Sequence, residues 1–189
     1  MKSARLALAL AAGLAAAGAG YSALVAPRSV DEVGGARALR PIWAEVKWPF
    51  PIDQWGTGRA FACKAADCGT DVQFYVRAKL GSCNCSTGVA DDADLDRMSD
   101  FDLVGGEVSP VGAGRPITIA WMKGRSRAYM LTANRLGRSA ISVVFNDRCD
   151  MVVATIVLPH DRPAIIEPGV IAFLNGSTVL RWAEVTLGL

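Results

Sequence analysis

The chain has 189 residues, of which 51% are hydrophobic and 20% are charged, with 20 Lys and Arg against 18 Asp and Glu. This apolar fraction is large enough to bury a core, and it excludes wholesale disorder, which requires few apolar residues and a high net charge. A net charge of +2 offers no basic excess for binding nucleic acid. A single histidine excludes a metal site built from several histidines.

The N-terminus has the pattern of an export signal. Lys2 and Arg5 form a short basic region, and the uncharged, Ala- and Leu-rich stretch 6–26 follows it. This order is typical of a signal peptide, although the stretch is also just long enough to span a bilayer as a helix. We therefore expect residues 1–26 to be a signal peptide or an N-terminal membrane anchor. The remainder would then be periplasmic, or anchored in the inner membrane and facing the periplasm.

An aromatic segment, residues 41–55, opens the predicted exported domain. Residues 27–40 combine a Gly-Gly pair with mixed charge, which indicates a linker, and residues 41–189 are predicted to form a single domain. Prolines in the aromatic segment prevent a regular helix or a central strand, so we expect an extended chain. It is either a strap that closes the core or a surface that binds a partner. Its aromatic residues are Trp43, Trp48, Phe50 and Trp55.

The clearest predicted strand is 72–80. Its apolar residues alternate strictly with polar or amphipathic ones, and Arg77 and Lys79 fall in the second set. Such alternation predicts an antiparallel sheet with one face buried and the other in water. Residues 59–63 are a plausible pairing partner, reached through a short turn.

Four more strands are predicted as two hairpins. Residues 117–122 and 128–132 are predicted to pair across a turn at 123–126. Residues 141–145 and 151–158 are predicted to pair across a turn at 146–150, and their continuous apolar runs suit central strands.

Two regions are predicted to be helical. Residues 90–101 begin with several aspartates, which suit the positive end of a helix. Near the C-terminus, Pro168 is predicted to start a helix, and Ser177 is predicted to cap a last short helix that ends at Gly188. The predicted fold class is therefore α+β: a mainly antiparallel sheet of about six strands with two or three packing helices, preceded by the N-terminal signal or anchor helix.

Two charged clusters are interpreted as structural. The aspartates at 91–96 do not match a calcium-binding loop, so we expect a solvated helix start. The basic residues Lys123, Arg125 and Arg127 are expected to be exposed in a turn. The alternatives are a weak divalent-cation site or a basic partner for the aspartates. For the basic residues they are an anion site or contact with membrane headgroups.

The five cysteines predict disulfide bonds, because most cysteines of an exported domain are paired. Cys63 and Cys68 flank a short turn between two predicted strands, so we predict a bond between them. A bond between Cys83 and Cys85 would close a very tight ring. We therefore predict that one of these two bonds to Cys149 and that the other stays free.

The leftover thiol leaves several functions open. One interpretation is that the free thiol is buried and inert. The others are that the Cys83/Cys85 pair carries Cu(I), or that it exchanges disulfide bonds. A hydrolase or transferase that uses a cysteine with His160 is a further alternative, although no nucleophile motif supports it. We expect a non-enzymatic, disulfide-stapled accessory domain without a cofactor. Its expected partner is a cell-envelope protein, with contact to the membrane through residues 1–26 if they are not cleaved.

Overall fold

The computed structural model of the protein describes residues 41–105, 107–132, 137–159 and 163–189. The predicted signal or anchor segment, the predicted linker and His160 lie outside these residues. Within them the fold is a mainly-sheet α+β arrangement with one antiparallel sheet of seven strands and five helices.

The strands form a single sheet in the order β1-β2-β3-β7-β6-β5-β4. Every neighbouring pair is antiparallel. The sheet joins two meanders, β1 to β3 and β4 to β7, through the pairing of β3 with β7. The strands are β1 (Ala44–Val46), β2 (Arg59–Cys63), β3 (Val72–Lys79), β4 (Val108–Ile119), β5 (Met122–Leu131), β6 (Arg138–Asp147) and β7 (Asp150–Leu158).

Helices lie on both sides of the sheet. The chain between β3 and β4 crosses one face, which we call the crossover face, and the two C-terminal helices cover the other, which we call the helical face. Two of the helices are single turns, which explains why the count exceeds the two or three predicted. The helices are α1 (Ala65–Cys68), α2 (Asp92–Met98), α3 (Phe101–Val104), α4 (Pro163–Leu174) and α5 (Ser177–Leu187).

The main hydrophobic core lies between the helical face and α4 and α5. Alternate residues of β3, β6 and β7 point into it, including Phe74, Phe145 and Ile156, all fully buried. Val170 and Ala183 meet them from the two helices. Burial of apolar area at this interface supplies the largest part of the stabilisation, because each fully buried large side chain contributes about 1.5–3 kcal/mol.

The two helices predicted near the C-terminus are present, with two changes. Ser177 is the first residue of α5 and does not cap it, because Gly176 occupies the N-cap position. Pro168 lies inside α4 rather than at its start, which is at Pro163. Gly188 ends α5 in the left-handed conformation, as its position predicts. Among the described residues, no single helix is long and apolar enough to cross a membrane. α4 and α5 together meet that length and hydropathy requirement, as a pair bent by 59°.

The predicted turn at residues 123–126 is wrong. The chain turns at Ala120 and Trp121, with Ala120 at φ 51°, and the predicted turn residues continue β5. Gly124 is needed there because a Cβ atom would lie 2.1 Å from the carbonyl oxygen of Val144 on β6. Glycine is therefore required at position 124 because two strands approach closely there, and not because the chain turns.

The two charged clusters bind each other. Asp92 accepts hydrogen bonds from Arg125 at 2.5 and 3.0 Å and from the amide of Gly114 at 2.8 Å. Arg127 reaches Asp96 at 3.0 Å, and the hydroxyl of Tyr129 donates to the same carboxylate. These contacts dock α2 onto β5, so Asp92, Arg125 and Arg127 are not the solvated residues that were expected. The prediction holds for Lys123, which is exposed, and for Asp91, which caps α2 at its start.

Candidate binding site beneath the aromatic segment

The aromatic segment wraps around the β1–β2 edge and contacts both faces of the sheet. Trp43 stacks on Phe173 of α4, with ring centroids 5.0 Å apart, on the helical face. After β1, Trp48 and Phe50 pack edge-on against Tyr75 of β3 on the crossover face. The segment therefore forms a strap, and its aromatic rings are divided between the two faces instead of sharing one surface.

A tight turn at 53–56 positions the end of the strap. The amide of Gly56 donates to the carbonyl oxygen of Asp53 at 2.9 Å, and Gly56 adopts a φ of 73°, which glycine tolerates best. The carboxylate of Asp53 accepts the amide of Trp55 at 2.8 Å. This turn directs both the Asp53 carboxylate and the Trp55 ring toward the polar end of β3.

Three buried charges lie at that end of β3. The Asp100 carboxylate receives two hydrogen bonds from Arg77, at 2.6 and 2.8 Å, and a salt bridge from Lys79 at 2.5 Å. All three side chains are at least nine-tenths buried. The prediction that this face of the strand is in water is therefore wrong from Tyr75 to Lys79, because α2, α3 and the strap cover it, while Gln73 at the start of the strand is exposed.

The strap supplies a fourth charge. Asp53 accepts a hydrogen bond from Arg77 at 2.5 Å while its own side chain stays 39% exposed. This hydrogen bond, followed by the one from the Trp55 amide, holds the pKa of Asp53 below its ordinary value. Burial alone lowers the pKa of Arg77, but its bonds with Asp100 and Asp53 outweigh that effect and raise it. Arg77 is therefore charged at any physiological pH.

The two buried cations differ in how fully they are satisfied. The Lys79 ammonium has three neighbours: Asp100, the carbonyl oxygen of Met98 at 3.1 Å, and the face of Trp55 at 5.7 Å. A guanidinium has five N–H donors. Arg77 directs three of them at Asp100 and Asp53, so two donors of a nearly buried group have no acceptor among the described residues.

These charges line a pocket of about 420 Å³ between the strap and the α2–α3 region. Phe50, Trp55 and Leu103 contribute apolar walls, while Arg77 and Lys79 contribute cations. The volume is within the range of small-molecule sites, and the combination of apolar walls with a few fixed polar groups is typical of such sites. We refer to it as the strap pocket.

The structure contains two disulfide bonds, Cys63–Cys68 and Cys85–Cys149. The first is the predicted pair, and the second is one of the two predicted possibilities. Cys83 is free and buried, and its thiol donates to the carbonyl oxygen of Arg148 at 3.2 Å. Burial, and then the nearby Asp150 carboxylate, raises the pKa of this thiol.

The Cys83/Cys85 pair is not a pair of free thiols in this structure. Cys85 is bonded to Cys149, so two-sulfur binding of Cu(I) requires reduction of that bond. The described part of the chain contains no group of three or more His, Cys, Asp or Glu side chains arranged to hold a metal ion.

Sequence reasoning missed the charged residues of the strap pocket. Arg77 and Lys79 occupy alternate positions of a strand, which is also the pattern of a solvated face. Asp100 lies within the predicted helix 90–101, where nothing in the local pattern distinguishes it from the other aspartates. The missing information is the crossover, which lays residues 98–103 over the polar end of β3.

No protein-family model matches the sequence, and the comparison with curated proteins finds no matching relative. A functional conclusion must therefore rest on the chemistry of the strap pocket and of the cysteines.

Proposed function

We propose that this chain is a non-enzymatic accessory domain, exported or membrane-tethered, that binds a partner in the cell envelope through the strap pocket. The single observation that carries the proposal is this pocket, in which a nearly buried arginine uses one N–H of each nitrogen and keeps two more that meet no acceptor within the described residues.

Disulfide formation supports the proposed compartment. Two bonds in a domain of this size are typical of proteins that fold in an oxidising environment such as the periplasm. The N-terminal pattern of Lys2 and Arg5 followed by the uncharged stretch 6–26 agrees with export to that compartment.

The strap also supports a role in partner binding. Trp43 and Trp48 are packed against the domain, so among the four aromatic residues of the predicted surface we assign binding to Phe50 and Trp55, which line the pocket. Ile52, between them, is 77% exposed and would extend the contact beyond the rim. Exposed apolar side chains beside a pocket are typical of recognition sites.

A comparison of tryptophan variants tests the proposal. Tagged full-length protein, Trp55→Ala and Trp121→Ala are each used to capture proteins from a solubilised envelope fraction, and the captured proteins are quantified. Trp121 is the matched control because it is 53% exposed at the β4–β5 turn and does not line the pocket.

We expect at least one envelope protein to be captured by the wild type and by Trp121→Ala, and to be reduced at least tenfold with Trp55→Ala. Thermal unfolding of the three proteins checks that Trp55→Ala remains folded. If every captured protein is retained equally by the two variants, the strap pocket is not the binding site and the proposal fails.

A thiol function is the second candidate, and one contact favours it. The amide of Cys83 donates to the carbonyl oxygen of Cys149 at 3.2 Å, which holds the free cysteine beside the disulfide. In an exchange, the Cys83 thiolate attacks the sulfur of Cys149, forms a new bond to it and releases Cys85 as a thiolate.

Mass mapping of disulfides separates this candidate from a purely structural role. Native protein is alkylated at neutral pH, digested and mapped, with Cys83→Ser as the control. A mixture of Cys83–Cys149 and Cys85–Cys149 bonds, or Cu(I) binding after mild reduction that Cys83→Ser abolishes, supports a thiol function. A single Cys85–Cys149 bond with no Cu(I) binding leaves Cys83 as a structural residue.

A further inference from the structure

We infer that the strap pocket recognises a monocarboxylate with an apolar body, and that Asp53 occupies the carboxylate position until the ligand displaces it. This inference rests on the proposed binding function of the pocket and names the chemistry of its ligand.

The contacts of Asp53 are those of a replaceable group. Its carboxylate takes one donor of Arg77, yet it is exposed and belongs to a strap turn, whereas Asp100 is buried and holds two donors of Arg77 together with Lys79. A ligand carboxylate that replaced Asp53 could use the Arg77 donor that Asp53 occupies, together with the two donors of Arg77 that meet no acceptor in the described part of the chain. Arginine and carboxylate match in a planar, two-point geometry.

The charge of the pocket selects a single negative charge. Without Asp53, the buried set contains Arg77 and Lys79 against Asp100, a net charge of +1. The exposed Arg97 and Asp102, which also line the pocket, cancel each other and leave this balance unchanged. A carboxylate neutralises it, while a phosphate dianion would leave excess negative charge beside Asp100 in a partly desolvated site. A neutral ligand would gain less, because charge-assisted hydrogen bonds are about twice as strong as neutral ones.

The walls of the pocket select the rest of the ligand. Phe50, Trp55 and Leu103 supply apolar surface next to the cations. A volume of about 420 Å³ accommodates a hydrophobic group of the size of one or two amino-acid side chains. Two sources present this chemistry: the C-terminal residue of a polypeptide and a small organic acid.

Calorimetric titration of the full-length protein tests the inference with defined probes. The probes are N-acetyl-phenylalanine, its amide, and a tripeptide that ends in phenylalanine with a free carboxylate. The proteins are the wild type, Asp53→Asn, Arg77→Lys and Glu184→Gln. The last is a charge-matched control on α5, on the opposite face of the sheet.

We expect both free acids to bind and the amide to bind at least tenfold more weakly. Because Asp53→Asn removes the internal competitor, it should bind the acids about tenfold more tightly than the wild type and Glu184→Gln do. Arg77→Lys, which keeps the charge but loses the two-point geometry, should bind at least tenfold more weakly. Tighter binding of the tripeptide than of the single residue identifies a polypeptide C-terminus as the source, and equal binding identifies a small acid.

Equal binding of acid and amide, or weaker binding of the acids by Asp53→Asn, overturns the inference. So does a failure of both the wild type and Asp53→Asn to bind either acid. The proposed function is judged separately by the captured envelope protein: if its capture depends on Trp55 while the acids do not bind, the binding function stands and only the ligand class is wrong.

Discussion

The two disulfides close loops of very different length, so we expect them to differ in what they contribute to stability. Cys85 and Cys149 are separated by 64 positions, and Cys63 and Cys68 by 5. A bond stabilises the fold by restricting the unfolded chain, and the restriction grows with the logarithm of the loop length. This relation gives about 4 kcal/mol for the long loop and about 2 kcal/mol for the short one.

The measurement must separate the bond from the packing of its sulfur atoms, because Cys63 and Cys68 are buried in the main core while Cys85 is exposed. Two variants each keep one bond: C63A/C68A retains the long loop, and C85S/C149S retains the short one. Both carry Cys83→Ser so that no free thiol can exchange. Urea unfolding of each variant with and without dithiothreitol gives the contribution of its bond, and the packing contributions cancel.

We expect reduction to lower the free energy of unfolding by about 4 kcal/mol in C63A/C68A and by about 2 kcal/mol in C85S/C149S. Equal losses, or a larger loss for the short loop, would refute the argument from chain entropy. That result would instead indicate that the chain between Cys85 and Cys149 is already restricted in the unfolded state without the bond.

Three further predictions follow from the contacts described above. Asp100→Asn should lower the free energy of unfolding, measured in urea, by about 3–5 kcal/mol, since it leaves two buried cations without their shared anion. The control is Asp102→Asn at an exposed position, which should stay within about 0.5 kcal/mol of the wild type. The pKa of Asp92 is held below its ordinary value of 3.8, first by an amide hydrogen bond and then by its arginine contacts. Its stabilising contribution should therefore be present above pH 3.8 and be lost as the pH falls below it, so Asp92→Asn should flatten the acid limb of a plot of melting temperature against pH. Gly124→Ala should cost about 1–3 kcal/mol because its methyl group would meet the backbone of Val144, and an unchanged melting temperature would contradict that contact.

Local patterns predicted much of the sheet. Three predicted strands correspond to β3, β6 and β7: the alternating segment 72–80 and the apolar runs 141–145 and 151–158. They could be predicted because the pattern of apolar residues along a strand shows directly which of its faces are buried. The turn at residues 148 and 149 lies in the predicted 146–150 stretch, where Arg148 has a φ of 50°. Strand β1 went unpredicted because three exposed residues between prolines show no period.

Pairing over long sequence distances was not predictable in this way. The composition at 123–126 favours a turn, and only the contact of Gly124 with β6 shows why glycine is required in a strand. The mutual neutralisation of Asp92 and Arg125 joins residues 33 positions apart. The strap pocket combines residues from the strap, β3 and the crossover, and no spacing within one element indicates that the three meet.

The pairing of β3 with β7 sets the order in which the chain can complete its fold. Residues 72–79 are synthesised early, but their partners in β7 end at Leu158, so the first meander has an unpaired edge until most of the chain is available. Such an edge can pair with other chains, and contacts this distant in sequence form slowly. A newly made molecule therefore passes through a period in which it needs protection from aggregation. Oxidation at Cys85 before Cys149 arrives would capture the wrong partner, since Cys63, Cys68 and Cys83 all precede it.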